Sequence, residues 1–154
     1  MVFATLNAAP FSTPSDWKLV TEFPSQPRII PGRLVGDVTI TTAICDLGSS
    51  AFIAIRGQYA AGIQHENVAD FYNIGRDAML KSMSADLIKE ETITVGGHVG
   101  RRYVVEAKNR KKRAESWSIL IGNESYQFMF GTKDSIENID AAEFFKKIRS
   151  NKSL

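Results

Sequence analysis

The chain has 154 residues, 44% hydrophobic and 23% charged, with 19 Lys plus Arg against 17 Asp plus Glu for a formal net charge of +2. A chain of this length makes one domain that hides roughly 70% of the surface its unfolded form exposes, and the composition excludes disordered and fibrous classes. The near balance of charge gives no reason to expect a nucleic acid or a membrane as a global partner, so electrostatic recognition has to be local.

Met1 to Pro10 is apolar and rich in small residues but lacks a basic n-region; it reads either as the remnant of an export signal or as an ordinary flexible N-terminus. Residues 1–15 are therefore expected to be a flexible lead, with one domain over 16–150. Trp17, Leu19 and Thr21 then alternate with Lys18, Val20 and Glu22 as in a short strand closed by Phe23. Pro24, Pro27 and Pro31 predict an extended, non-helical connection, and Gly32 a turn. Leu34 to Cys45 is strand-like, Asp46 to Ser50 breaks it, and Ala51 to Tyr59 resumes it, which predicts a hairpin.

Over Glu66 to Ser84 the period changes. Val68, Phe71, Gly75, Ala78, Met79 and Met83 recur at spacings of three and four, the stripe of an amphipathic helix packed on a sheet. Four strands follow, at Leu87 to Val95, Val99 to Ala107, Glu115 to Ile121 and Ser125 to Phe130. Gly96-Gly97-His98 and Gly122-Asn123-Glu124 supply tight antiparallel turns, and Asn109 to Arg113 a longer charged tip. A last helix begins at Asp134 or Asp140, the latter as its cap. It runs to Arg149 with Ile139, Ala142, Phe145 and Ile148 on its apolar face. The expectation is an α+β domain with a mostly antiparallel sheet of six to seven strands, a main helix after strand three and a C-terminal helix.

Ile93-Thr94-Val95-Gly96-Gly97-His98-Val99-Gly100-Arg101-Arg102 is a strand, glycine turn and strand carrying G-x-x-G-R. It is followed by Gly122-Asn123-Glu124-Ser125-Tyr126, of the form G-N-x-x-Y, and by the paired aromatics Phe144-Phe145. With Trp17 and Phe23-Pro24-Ser25-Gln26-Pro27, this order resembles the PsbP-like fold and a family of exported, mostly bacterial domains of unknown function. Proteins of that shape include photosystem extrinsic subunits, a Ran-binding nuclear import factor and bacterial envelope lipoproteins. The resemblance implies a non-enzymatic accessory or protein-binding role in an exported setting, while a cytoplasmic one stays open. No lipobox cysteine or residue pattern specific to Ran or to photosystem assembly accompanies it.

Few residues point to chemistry. Cys45, the single cysteine, ends an apolar alternating run and reads as a buried, inert thiol, and one cysteine excludes an intrachain disulfide. His65 and His98 lie in separate loop regions, which argues against zinc. Ser49-Ser50 occupies a turn with no G-x-S-x-G elbow. The glycines around His98 join two strands instead of opening a helix, so they read as a turn and not a phosphate loop, and no cofactor is expected. Glu90 and Glu91 should face opposite ways, and Asp134 and Glu137 read as charges stabilising a helix start.

The one cluster above background is Arg101, Arg102, Lys108, Arg110, Lys111, Lys112 and Arg113, seven of the 19 basic residues. At a hairpin tip it reads either as an anion-docking site or as a solvated end that discourages edge pairing, with Arg101 and Arg102 on opposite faces of their strand. The alternative to a binding role is a small enzyme or ligand-binding domain. Its pocket would lie between the main helix and the sheet and gather groups such as His65, Tyr59 and Glu91.

Overall fold

The computed structural model describes residues 11–63, 68–107 and 111–152. In chain order the elements are β1 (Leu19–Val20), β2 (Arg28–Val35), β3 (Val38–Asp46), β4 (Ser50–Tyr59), α1 (Val68–Met83), β5 (Asp86–Val95), β6 (His98–Ala107), β7 (Lys112–Ile121), β8 (Glu124–Thr132), α2 (Ile139–Lys146) and β9 (Arg149–Ser150). Seven strands form one antiparallel sheet in the order β2-β3-β4-β8-β7-β6-β5, and β1 pairs with β9 in a separate two-stranded ribbon. The protein is therefore α+β, with α1 following the third strand of the large sheet.

Turn chemistry explains most of the strand ends. Gly96 and Gly97 (φ 57° and 82°) turn β5 into β6, and Gly122 (φ 59°) turns β7 into β8, conformations that cost glycine nothing and other residues a clash. A third hairpin lies where a single strand was expected from Leu34 to Cys45. Gly36 (φ 64°) and Asp37 divide that run into the end of β2 and the whole of β3. The proline-bearing connection upstream is irregular over Pro24 to Pro27 and becomes a strand from Arg28, so Pro31 lies within β2. β2 tolerates Pro31 because it lies at the sheet edge, where the register shifts between Ile30 and Arg33.

Alternation along the strands separates two faces. One carries Ala43, Cys45, Phe52, Ala54, Ile119, Tyr126, Phe128 and Phe130, all buried beneath Trp17, Leu19, Phe23, α2 and Ile148. This is the main core. Phe144 sits at its centre, with ring centroids 5.4 Å from Phe23, 5.2 Å from Phe52 and 5.2 Å from Phe145. Within the expected flexible lead, residues 1–10 lie outside the described residues and 11–15 are tied down. Thr13 is buried and exchanges hydrogen bonds with Thr21, and the Phe23 amide donates to the Phe11 carbonyl.

The opposite face packs on α1 in a smaller cluster of Tyr103, Val105 and Ala114 with Met79, Leu80 and Met83. Here two expectations need correction. Val68 and Ala78 are exposed, and the helix residue that is buried is Tyr72, whose hydroxyl donates to the Val99 carbonyl and accepts from the Leu120 amide. Phe71 and Met79 are half-buried, so truncating Phe71 removes less packing than a full core phenylalanine. Ile119 and Phe128 lie in the core on the other face.

The C-terminal helix also shifts. Asn138 caps α2 by accepting from the Asp140 and Ala141 amides, leaving Asp140 in the first turn and Asp134 and Glu137 before the helix. Ala141, Phe144, Phe145 and Ile148 are buried, whereas Ile139 is 80% exposed and Ala142 is also outside the core. Phe145 and Ile148 face the core as expected, while Ala141 and Phe144 take the buried places expected of Ile139 and Ala142.

Candidate functional site

The basic cluster does not converge. Arg101 and Arg102 occupy the middle of β6, and alternation sends them to opposite faces. Arg101 Nη1 donates to Glu90 Oε1 (2.6 Å) and Asn73 Oδ1 (3.1 Å) on the α1 side, with its guanidinium 5.7 Å from the centre of the Tyr72 ring. Arg76 joins the same Glu90 at 2.9 Å, so one carboxylate bridges helix and sheet. Arg102 donates to Glu115 (2.8 and 3.1 Å) and Glu91 (2.6 Å) on the α2 side, where Trp117 Nε1 also donates to Glu115 at 2.8 Å. The hydrogen bond from Arg102 holds the Glu91 carboxyl below its usual range. Both arginines are thus neutralised by strand neighbours.

At the tip, Lys108 and Arg110 lie outside the described residues. Lys111 is exposed with φ 49°, and Arg113 faces Glu106 across the hairpin at 3.7 Å. Lys112, Arg113 and Lys133 line a cleft of about 260 Å³ with the turn Gly48-Ser49-Ser50 and Asp46. Replacing Lys111, Lys112 and Arg113 together by Ser is expected to change the unfolding free energy by no more than about 0.5 kcal/mol, since such side chains add little packing. Urea titration measures this. Heparin retention across salt concentrations then reports whether the tip carries an anion site.

A second polar cluster, absent from the sequence reading, is buried in the main core. Arg56 Nη1 donates to Asp16 Oδ2 (3.2 Å) and lies 3.8 Å from Glu124 Oε1, while Lys18 Nζ pairs with Glu124 Oε2 at 2.9 Å. Tyr126 donates to Glu124 at 3.2 Å and accepts from the Lys18 amide at 2.8 Å, and the Arg56 guanidinium stacks 5.6 Å from the Trp17 ring centre. Trp17 Nε1 and Arg56 Nε are buried with no hydrogen-bond partner among the described residues. Each member but Asp16 and Lys18 is enclosed, so the cluster joins the N-terminal segment to β4 and β8 and offers no access to a substrate. Its trace in sequence is slight: Arg56 and Glu124 fall at positions where alternation demands an apolar residue.

Burial pushes the Tyr103 and Tyr126 hydroxyls up to about 12 from the ordinary 10.0. The unfolded chain ionises its tyrosines near 10, so between pH 10 and about 12 it releases protons that the folded protein keeps. Stability is expected to fall as pH rises through that window and to gain nothing from these two groups below it. Urea midpoints stepped through the window, with tyrosinate absorbance followed in parallel, check the sign.

Between α1 and the sheet lies a cleft of about 210 Å³ whose side chains include Val38, Ile40, Ile55, Tyr59, Phe71 and Met79. Of the groups named for a pocket here, Tyr59 is present, His65 lies outside the described residues, and Glu91 is on the opposite face with Arg102. Cys45 is buried in the main core, where burial raises its thiol. Ser49 and Ser50 serve turn hydrogen bonds through their carbonyls, and His98 begins β6. Among the described residues no group of three or more His, Cys, Asp or Glu side chains is placed to hold a metal ion, and no helix is long and apolar enough to cross a membrane.

No family model matches the chain, and no curated protein matches it either. A protein of Bacteroides thetaiotaomicron with a crystal structure is similar in shape at a TM-score of 0.37 and 14% identity, covering 93% of this chain and 49% of that one. The chain thus spans about half of that protein.

Proposed function

We propose that this chain is a non-enzymatic accessory domain of the PsbP-like fold, exported in its full setting, which acts by binding another protein. One observation carries the reading. On strands β3 and β4 the residues facing the main core are buried almost without exception, while Ile40, Ile44, Ile53 and Ile55 on the reverse face stay partly exposed. A monomeric domain seldom leaves a run of β-branched residues open on a sheet face unless a partner covers it. Charged side chains able to do acid or base work are instead locked in pairs, as Glu90, Glu91 and Glu115 are with arginines.

Cross-linking in the native host, with a photoreactive residue at position 40, tests the reading together with a broad substrate screen. A specific protein adduct and no turnover are expected. Reproducible turnover with no adduct from any surface position would overturn it. The cleft of about 210 Å³ favours a second reading, a small apolar ligand held between α1 and the sheet. Saturable binding of an apolar fluorophore, lost when Gly75 is replaced by Trp, would support that reading.

A further inference from the structure

The open part of the sheet has the dimensions of a missing helix. α1 lies over β6, fastened through Tyr72 to Val99 and Leu120 and through Arg76 to Glu90; beyond β5-β6-β7 it reaches, among the described residues, only Gln127 on β8, through Met79, and Tyr59 at the end of β4, through Phe71. On this face, apart from the Phe71 ring beside Tyr59 at the end of β4, no element of the described residues lies over β2, β3 and β4. Three strands at about 4.8 Å spacing give a floor about 10 Å wide between outer strand axes, and a helix with its side chains is about 10–12 Å across. The nine residues of β3 extend about 30 Å, the length of a helix of about 20 residues.

Chemistry agrees with the dimensions. The floor is made by Val38, Ile40, Ile44, Ile53 and Ile55, continued onto β2 by Ile30 and Val35, whose register places them on the same face. Met79 and Phe71 rise from α1 as one wall. Beside them Gly75 has open space where a side chain would stand, which allows a neighbouring backbone to come close. At the far rim the register puts Arg28 and Arg33 on this face too, opposite Ile44 and Ile40, both exposed and neither in an ion pair with another described residue. Most other arginines in the fold are paired, as Arg56, Arg76, Arg101, Arg102 and Arg149 show. The carboxylates of the region are few. Asp46 ends β3 and accepts from the Gly48 amide, Asp77 is taken by Arg76, and Asp37 sits in the β2-β3 turn.

We infer that the groove bounded by α1 and β2 receives an amphipathic helix from a partner protein. Its apolar stripe lies on the isoleucine floor, and Asp or Glu residues along one edge meet Arg28 and Arg33. The partner completes the α layer that the described residues leave half built. The inference rests on the protein-binding reading and adds to it the place and the chemistry of the contact.

The test uses the full chain and a labelled synthetic peptide of about 18 residues, with a leucine stripe at helical spacing and glutamates along one edge. A second peptide has lysines in place of the glutamates. Fluorescence anisotropy is expected to show saturable binding of the acidic peptide, at least about tenfold tighter than the basic one. Two rim pairs changed from attraction to repulsion amount to about that factor. The surface variant R28E/R33E, with its fold checked by circular dichroism, should reverse the preference. Equal affinity for both peptides, no saturable binding, or an unchanged preference in the variant would overturn the inference. So would preferential binding to phosphatidylglycerol vesicles, or a dimer of this chain that occupies the groove. If the host partner cross-links at other surfaces while both peptides fail, the inference falls and the protein-binding reading stands.

Discussion

Replacing Phe144 by Ala is expected to lower the unfolding free energy by about 3–5 kcal/mol, the largest loss from any single truncation proposed for this protein. Phe144 is 1% exposed and touches Phe23, Phe52, Phe128 and Phe145, so its ring joins the N-terminal segment, the central strands and α2 at one point. The neighbours come from the N-terminal segment, β4, β8 and α2 itself and cannot all collapse into the space vacated, which puts the cost at the upper part of the range. Thr21 adds a second constraint, donating from its hydroxyl to the Phe144 carbonyl at 2.6 Å. Urea denaturation measures the loss. A change under about 1 kcal/mol would mean that α2 is not seated on the core as described.

Replacing Glu124 by Ala is expected to cost about 3 kcal/mol or more for a different reason. The residue is buried, and its carboxylate balances Lys18 and the enclosed Arg56 while accepting from Tyr126. Among the described residues, removing it leaves Arg56 with only the exposed Asp16 carboxylate and one carbonyl, a charge stranded in the core. The paired replacement of Arg56 by Met and Glu124 by Leu removes both charges and is expected to cost distinctly less than the single change. A double variant as unstable as the single one would show that packing around these side chains, and not their charge, sets the loss.

The local chemistry of this chain was legible without coordinates wherever a residue acts on its own backbone. Gly96, Gly97 and Gly122 mark their turns, and β-branched alternation marks β3, β4 and the strands after α1, because φ preference and side-chain period are properties of a few neighbouring residues. The same locality caused the errors. Pro31 predicts an extended connection and not a sheet strand, yet an edge strand needs no amide hydrogen there. Gly36 was not read as a turn because the residues on both sides of it remain strand-like.

Only the tertiary structure decided which surface each alternating set would face and what would cover it. Alternation predicts that Arg101 and Arg102 diverge, but their neutralisation depends on cross-strand and helix-to-sheet contacts. Arg101 meets Glu90 and Asn73, and Arg102 meets Glu91 and Glu115. Likewise β4 lies beside β8, about 70 residues away, which brings Arg56 next to Glu124 and closes the main core on one face. The stripe on α1 announces a helix without fixing how much sheet that helix spans. One helix is too narrow to roof seven strands, and the width left open over β2, β3 and β4 is set by where Tyr72 and Arg76 anchor it.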